Sequence, residues 1–314
     1  MTNVTDTHPL NNENWKPKIQ NRCFELLKNW SRHTDEYWYQ MPDNRELACY
    51  GSGYAGWGVQ TNQKYLSAMA VLGVLGDKMS AVAKELGKRS RERALTALQF
   101  SFESHLSGSY HCTDGMQWGH TWISALGIER MMHGVYLLSP YFSDEDNRAL
   151  KRVLTSEADW LLEIESRNGF KGVLADPCDS SGKNEPESNI WNGALCWRTA
   201  NMYPDHPHAG QWKERAYQFL INGVSIADDA EDTRMLDGKP IRERHVGANF
   251  FPNYALDHHG YLNVGYMVIC LSNAAMLHFD MKTQNLPIPE SLYHHQADLW
   301  QAIRRMTFSN GRLA

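Results

Sequence analysis

Apolar residues recur along most of this chain at the 3.6-residue period of an α-helix, and no convincing period-2 strand interrupts them. Helices are expected at about 18–31, 59–75, 78–86, 91–106, 121–138, 143–166, 188–202, 207–228, 261–279 and 289–308. Two of them carry clear start signals. Ser143 stands before Asp144, Glu145 and Asp146, which the helix dipole favours in a first turn. Pro289 suits a first helical turn.

The helices alternate in character. Those at 59–75, 121–138, 188–202 and 261–279 are rich in Gly, Ala, Ser and apolar residues, as helices buried on most sides are. Those at 18–31, 143–166 and 207–228 carry one charged face. Hairpins of one buried and one half-solvated helix predict an all-α fold, either an (α/α) toroid or incomplete barrel around a central cleft, which is the expectation adopted, or an α-solenoid. It would be a single domain over residues 1–314, with residues 1–17 as a flexible tail. The irregular stretches at 34–58, 111–120, 169–187 and 228–260 are long for connectors, and loops of that length tend to build sites. The last three precede expected inner helices, which would gather them at one mouth of the cleft.

Composition narrows the function. Hydrophobic residues make up 42% and charged residues 21%, which excludes a disordered polyelectrolyte. A net charge of −5 argues against nucleic acid or an anionic membrane as the main partner. The longest apolar candidate for a span, 266–279, is shorter than the ~18 residues needed and contains Ser272, Asn273 and His278. The first 18 residues show no signal-peptide pattern, so the default expectation is cytoplasmic; a chain whose leader had been removed would be periplasmic or secreted. The six cysteines are scattered without a CxxC, as free thiols in a reducing compartment are. Eleven tryptophans and 14 tyrosines suit a cleft that stacks on sugar rings as well as they suit helix packing.

Metalloprotease, nucleophile-elbow and P-loop signatures are missing from the sequence; Gly51-Ser52-Gly53-Tyr54-Ala55-Gly56 spells a G-x-G-x-x-G, but with no strand expected before it and no Lys-Ser/Thr after it the run is read as tight turns, not a phosphate loop. Three polar constellations stand out instead. The densest holds Arg242, Arg244, His245, Asn249, Asn253, Tyr254, Asp257, His258, His259, Tyr261 and Tyr266, with acids and bases for proton transfer and donors for a carboxylate. The second, Glu187, Ser188, Asn189, Trp191 and Asn192, opens a helix of buried type, where polar side chains must find partners or face a cleft. The third runs from His111 to Trp122; Gln117, Trp118, His120 and Trp122 are expected to line the cleft. His111, Asp114 and His120 match no metal-ligand spacing. The acidic run Asp228, Asp229, Glu231 and Asp232 is expected to be solvated or at most a weak cation site, and His294 and His295 to lie on a helix surface. No cofactor and no metal are called for.

Two stretches carry a resemblance. Glu187-Ser188-Asn189-Ile190-Trp191-Asn192, then Pro204-Asp205-His206-Pro207 and Trp212-Lys213-Glu214-Arg215-Ala216, resemble an E-x-N-x-W-N…PDHP…W-x-E-x-A pattern. Tyr254 to Gly260, with Tyr266-Met267 after it, resembles a Y-x-L-x-x-H-G…Y-M stretch. Both are similar to bacterial α/α-toroid polysaccharide lyases of the heparinase II/III-like group, over about residues 187–267. The resemblance implies β-elimination on a uronic-acid glycan. Asn189 would neutralise the uronate carboxylate with help from Arg244, His259 or Tyr254 would take the C5 proton, and Tyr266 would protonate the leaving oxygen. Glu187, Trp191, Asn192, His245, Asn249, His258 and Tyr261 would bind substrate. The segment before Tyr266 lacks the His-Pro-Asp of the pattern, and residues 1–314 do not include the C-terminal β-sandwich usual in such lyases, as either a fragment or a stand-alone toroid would show.

The chemistry is sound on its own terms. A proton α to a carboxylate leaves only if the developing enolate is stabilised, and Asn, Arg or a protonated acid can do that. A glycoside hydrolase on a uronide needs two carboxylates instead, ~5–5.5 Å apart for retention or ~6.5–9.5 Å for inversion. Glu187 and Asp257 are the candidates for that alternative, and a non-catalytic helical scaffold is the third. The expected partner is an oligo- or polysaccharide.

Overall fold

The computed structural model describes residues 15–76, 84–163 and 185–313. Cys178, nearly all of the 169–187 loop, most of the 78–86 helix and residues 1–14 of the tail lie outside the described residues. The described residues are mostly helical, at 63%. Among the described residues the α-helices are α1 (Trp15–Ser31), α2 (Trp57–Ala70), α3 (Lys84–Glu103), α4 (Ser124–Leu138), α5 (Asp144–Glu163), α6 (Pro186–Met202), α7 (Ala209–Ile221), α8 (Val264–Thr283) and α9 (Gln296–Arg305). Residues 15–17 are thus the first turn of α1, and residues 84–86 open α3.

The four Gly/Ala-rich helices pack against one another and run parallel. Gly127 of α4 faces Gln63 of α2, and further along Gly134 faces Ser67. Arg130 and His133 of α4 meet Met276 and Asp280 of α8 in the same order. A Cβ on Gly134 would come within 2.7 Å of the Ser67 backbone, so this close approach requires glycine. Helices α3, α5, α7 and α9 flank this group. Trp212 of α7 is fully buried and donates its indole N–H to Asp159 of α5 at 2.9 Å, while His206 stacks on it at 4.4 Å. The Pro204–Pro207 motif therefore serves as a packed turn between α6 and α7.

A charge network ties the parallel helices at mid-height. Arg198 of α6 is fully buried. Its Nε lies 2.8 Å from Oε1 of Glu129 on α4, and its Nη2 lies 2.9 Å from Oδ2 of Asp280 on α8, close but not aligned as a hydrogen bond. His133 meets the other oxygen of Asp280 at 2.9 Å. Burial pushes the Glu129 carboxyl up to about 7 even though Arg198 opposes the shift.

Several local expectations are corrected. Three short antiparallel pairs break the helical pattern: β1 (Trp38–Gln40) with β2 (Ala48–Tyr50), β3 (Met235–Leu236) with β4 (Lys239–Pro240), and β5 (Asp257–His258) with β6 (Tyr261–Leu262). The last two turn on Asp237-Gly238 and His259-Gly260, all four residues with positive φ, as a two-residue type I′ hairpin demands. The helix expected over 289–308 is broken: a 3-10 turn at Glu290–Tyr293 precedes α9, and His295 between them is left-handed with φ 54°. Helix α8 is longer than its apolar run suggested. By length and composition it could cross a membrane, yet it packs on α6 and α9 and carries the ion-paired Asp280.

Candidate functional site

The centre of the candidate site is Glu187, in the first turn of α6 after Pro186 at the helix start. Its carboxyl is only 5% exposed, and burial, with the charge of Glu185 added, pushes it up to about 8. The helix dipole favours the anion there by ~0.3–1 kcal/mol, less than one pKa step at ~1.4 kcal/mol each, so desolvation wins. At neutral pH Glu187 is a buried, protonated acid. Its Oε1 lies 3.9 Å from Nε2 of His258, and its Oε2 has no hydrogen-bond partner among the described residues.

The β5–β6 hairpin supplies the rest. It places His258 inside and His259 at the exposed turn, with ring centroids 4.1 Å apart. Tyr266 enters from the first turn of α8, where Asn263 caps the helix by accepting from the Tyr266 N–H at 3.2 Å. The Tyr266 ring lies 4.0 Å from that of His258, and its hydroxyl is 3.5 Å from Nε2 of His259. Burial raises the Tyr266 phenol above its ordinary value, and the charge of Glu187 adds to the shift. A path of titratable groups thus leads from exposed His259 through half-buried Tyr266 to buried His258 and Glu187. Asp257 is half-buried in β5, and Tyr261 is exposed in β6.

Other expected residues are placed elsewhere. Asn189 is fully buried, and its amide N–H donates to the Asn222 carbonyl at 2.8 Å, so the carboxylate-neutralising role expected of it is not open to it in this structure. Asn249 donates to the same carbonyl at 2.6 Å. Asn222 in turn donates to the Arg244 carbonyl, making Asn189, Asn222 and Asn249 a scaffold between α6 and the 225–249 segment. Arg244 is also buried and committed: Glu214 takes Nε and Nη2 at 2.9 Å each, and the carbonyls of Leu236 and Asp237 accept from Nη1 and Nη2. Trp191 and Asn192 are buried on α6.

Tyr254, the alternative to His259 for the base role, is engaged elsewhere. Its hydroxyl meets Nδ1 of His295 at 2.9 Å, and burial, with the nearby Asp298 charge, pushes the phenol up to about 12. That is the wrong direction for a base. His245 is half-buried and its pKa is lowered by burial, against the pull of the Asp229 charge.

In the 111–122 stretch, most of the expected lining residues hold the loop together. Gln117 donates to the carbonyls of His105, Gly108 and Tyr110, and Trp118 to that of Ser101. His120 stacks on Trp160 and bonds Ser156. Gly119, at φ 130°, lets the chain pass the buried His105–Glu157 pair; a Cβ there would come within 2.7 Å of the His105 ring. Trp122 differs. It is 45% exposed just before α4 and meets Trp57, 58% exposed at the start of α2, edge to face at 5.8 Å.

A second cluster was not expected. Asp229, His294 and His295 come together where the 289–308 helix breaks. Asp229 and His294 are buried, not solvated, which corrects the surface expectation for these two residues; Asp228 and Glu231 are exposed, as expected. The sequence signal available was His-His beside a helix start, but nothing local joins it to Asp229, 65 residues earlier.

The raised carboxyl of Glu187 gives a pH signature. The folded state holds this proton between the unfolded value near 4.5 and the folded value about 8, so the folded state binds more protons across that window and stability falls as pH rises. Glu187→Gln should remove up to about 1.4 kcal/mol per pH unit of that slope. Urea unfolding of both proteins at pH 5 and pH 8 checks this; equal slopes would mean that Glu187 is solvated. Comparison with protein-family models, characterised proteins and solved structures found no match to this chain.

Proposed function

We propose that the chain is a carbohydrate-active enzyme, a polysaccharide lyase that cleaves a uronic-acid glycan by β-elimination within an incomplete α/α toroid. The observation that carries this reading is the buried, protonated Glu187 beside His258, with the His259–Tyr266 pair at the same helix ends. The parallel course of α2, α4, α6 and α8 supports the toroid. It also brings the starts of these helices to one end of the molecule: Trp57 on α2, Trp122 just before α4, Glu187 on α6 and Tyr266 on α8.

In this mechanism the neutral Glu187 donates a hydrogen bond to the substrate carboxylate, taking the role first expected of Asn189. His259 takes the C5 proton. The C5–H electron pair becomes the C4–C5 double bond as the C4–oxygen bond breaks, and Tyr266 gives its proton to the departing oxygen. A phenol raised above its ordinary value stays protonated at neutral pH and suits this acid role. The exposed Trp57–Trp122 pair offers an aromatic face for a sugar ring.

A protonated Glu187 also suits the general acid of a glycoside hydrolase, with Asp257 as its partner, and this is the second reading. A panel of uronate polymers, followed by ultraviolet absorbance beside a reducing-end assay, separates the two. A lyase produces both a new unsaturated chromophore and new reducing ends. A hydrolase yields reducing ends alone. Neither signal on any uronate would count against both.

A further inference from the structure

We propose that Asp229, His294 and His295 form a binding site for one divalent cation of the zinc class, outside the Glu187–Tyr266 cluster. The three side chains offer one carboxylate and two imidazoles, with ligand atoms all within 4.8 Å of one another. Nε2 of His294 lies 3.1 Å from Oδ2 of Asp229, and Nε2 of His295 lies 2.8 Å from Oδ1. Ligands at ~2.0 Å around a tetrahedral zinc stand roughly 3.3 Å apart, so only small shifts separate this arrangement from coordination.

The surroundings prepare the nitrogens for a metal. Nδ1 of His295 faces Oδ2 of Asp298 at 3.2 Å and the Tyr254 hydroxyl at 2.9 Å. Both carboxylates can only accept, so Asp298 favours a proton on Nδ1 and Asp229 a proton on Nε2; a cation between the residues would take the place of the Nε2 proton and leave Nδ1–H on Asp298. A carboxylate behind a ligating histidine is the usual outer partner in zinc sites. A cation at that point would displace the protons the two rings share with Asp229 and take the freed lone pairs and a carboxylate oxygen as ligands. The Asp229 carboxylate is itself oriented by the Ile226 N–H at 2.9 Å. The nearest competing cation, Arg234, is held by both oxygens of Asp232.

The donor set selects the class of ion. Imidazole nitrogen suits zinc, cobalt, nickel, copper and iron, whereas magnesium and calcium take oxygen ligands. Three protein ligands leave a coordination position open, and the site adjoins a cleft of about 350 Å³ lined by Arg234, Met235, Tyr293 and Asp298. The cluster is assembled by long-range contacts: Asp229 follows α7, and the histidines precede α9.

The test is titration of the chelator-treated full chain with Zn²⁺ and, separately, Co²⁺. One equivalent should bind, Mg²⁺ and Ca²⁺ should not compete, and bound Co²⁺ should show the intense visible bands of a low-coordinate nitrogen–oxygen site. His294→Gln and His295→Gln should each weaken binding by at least ~100-fold, and Asp298→Asn by ~10–100-fold, the range for outer partners. His208→Gln, which alters a surface histidine paired with Asp159, should change nothing. Failure to bind an equivalent, or binding unchanged in both His294→Gln and His295→Gln, would overturn the proposal. So would a Co²⁺ spectrum like that of the aqueous ion in the unaltered chain, a readout that holds even if the variants fold poorly.

Discussion

Replacing Arg198 with Ala should lower the unfolding free energy by about 3–5 kcal/mol at neutral pH, because it leaves Glu129 and Asp280 buried without their shared cation. The loss is larger than that of deleting a surface pair, which is worth only ~0–1 kcal/mol, because water cannot take over from the guanidinium. The damage should shrink at lower pH. Without Arg198 the Glu129 carboxyl is held further above its unfolded value, so stability is retained below that value and lost as pH rises through the folded one. The triple change Arg198→Met, Glu129→Leu, Asp280→Leu removes the charges together and should recover much of the loss. Denaturant unfolding at pH 5 and pH 8 measures these differences. A loss below 1 kcal/mol for Arg198→Ala at pH 8 would show that the network is solvated and that the four parallel helices do not close around it.

Tyr266→Phe should cost roughly 10²–10⁴-fold in turnover on whichever uronate the screen identifies, the range for removing a general acid. The change deletes one hydroxyl from a half-buried ring and leaves its contact with His258 in place, so folding should be unaffected. Asp257→Asn should be mild by comparison. The lyase reading needs no second carboxylate, whereas the hydrolase reading does. Near-normal turnover in Tyr266→Phe with none in Asp257→Asn would replace the first reading by the second. Circular dichroism of both variants checks that a lost activity is not lost structure.

Helices long enough to show several turns of periodicity were legible in the sequence, and the expectation of burial on most sides holds for α2, α4 and α6; α8 fails it, with only eight of its 20 residues buried, because one face lies outside the packed group. Short hairpins were not legible by periodicity. Two residues per strand give no alternation to detect, and only Asp237-Gly238 and His259-Gly260, the type I′ turn pairs, marked two of them. The proximity of His258, His259 and Tyr266 was partly legible, because a tight turn and a helix start keep sequence neighbours together.

What the sequence by itself determined is the helical class, the buried character of α2, α4 and α6, and the local pairing of His259 with Tyr266. These depend on interactions within a few residues, through backbone hydrogen bonds and the side-chain period. The tertiary structure alone decided which polar residues remain available. Arg244 is consumed by Glu214, 30 residues before it, and Asn189 by the carbonyl of Asn222. Tyr254 is drawn to His295, and Asp229 meets the two histidines more than 60 residues later. Burial, too, is set by the whole fold: Glu187 is an ordinary carboxylate in the sequence and a protonated acid in the molecule, because the helices around it exclude the water that would have stabilised its charge.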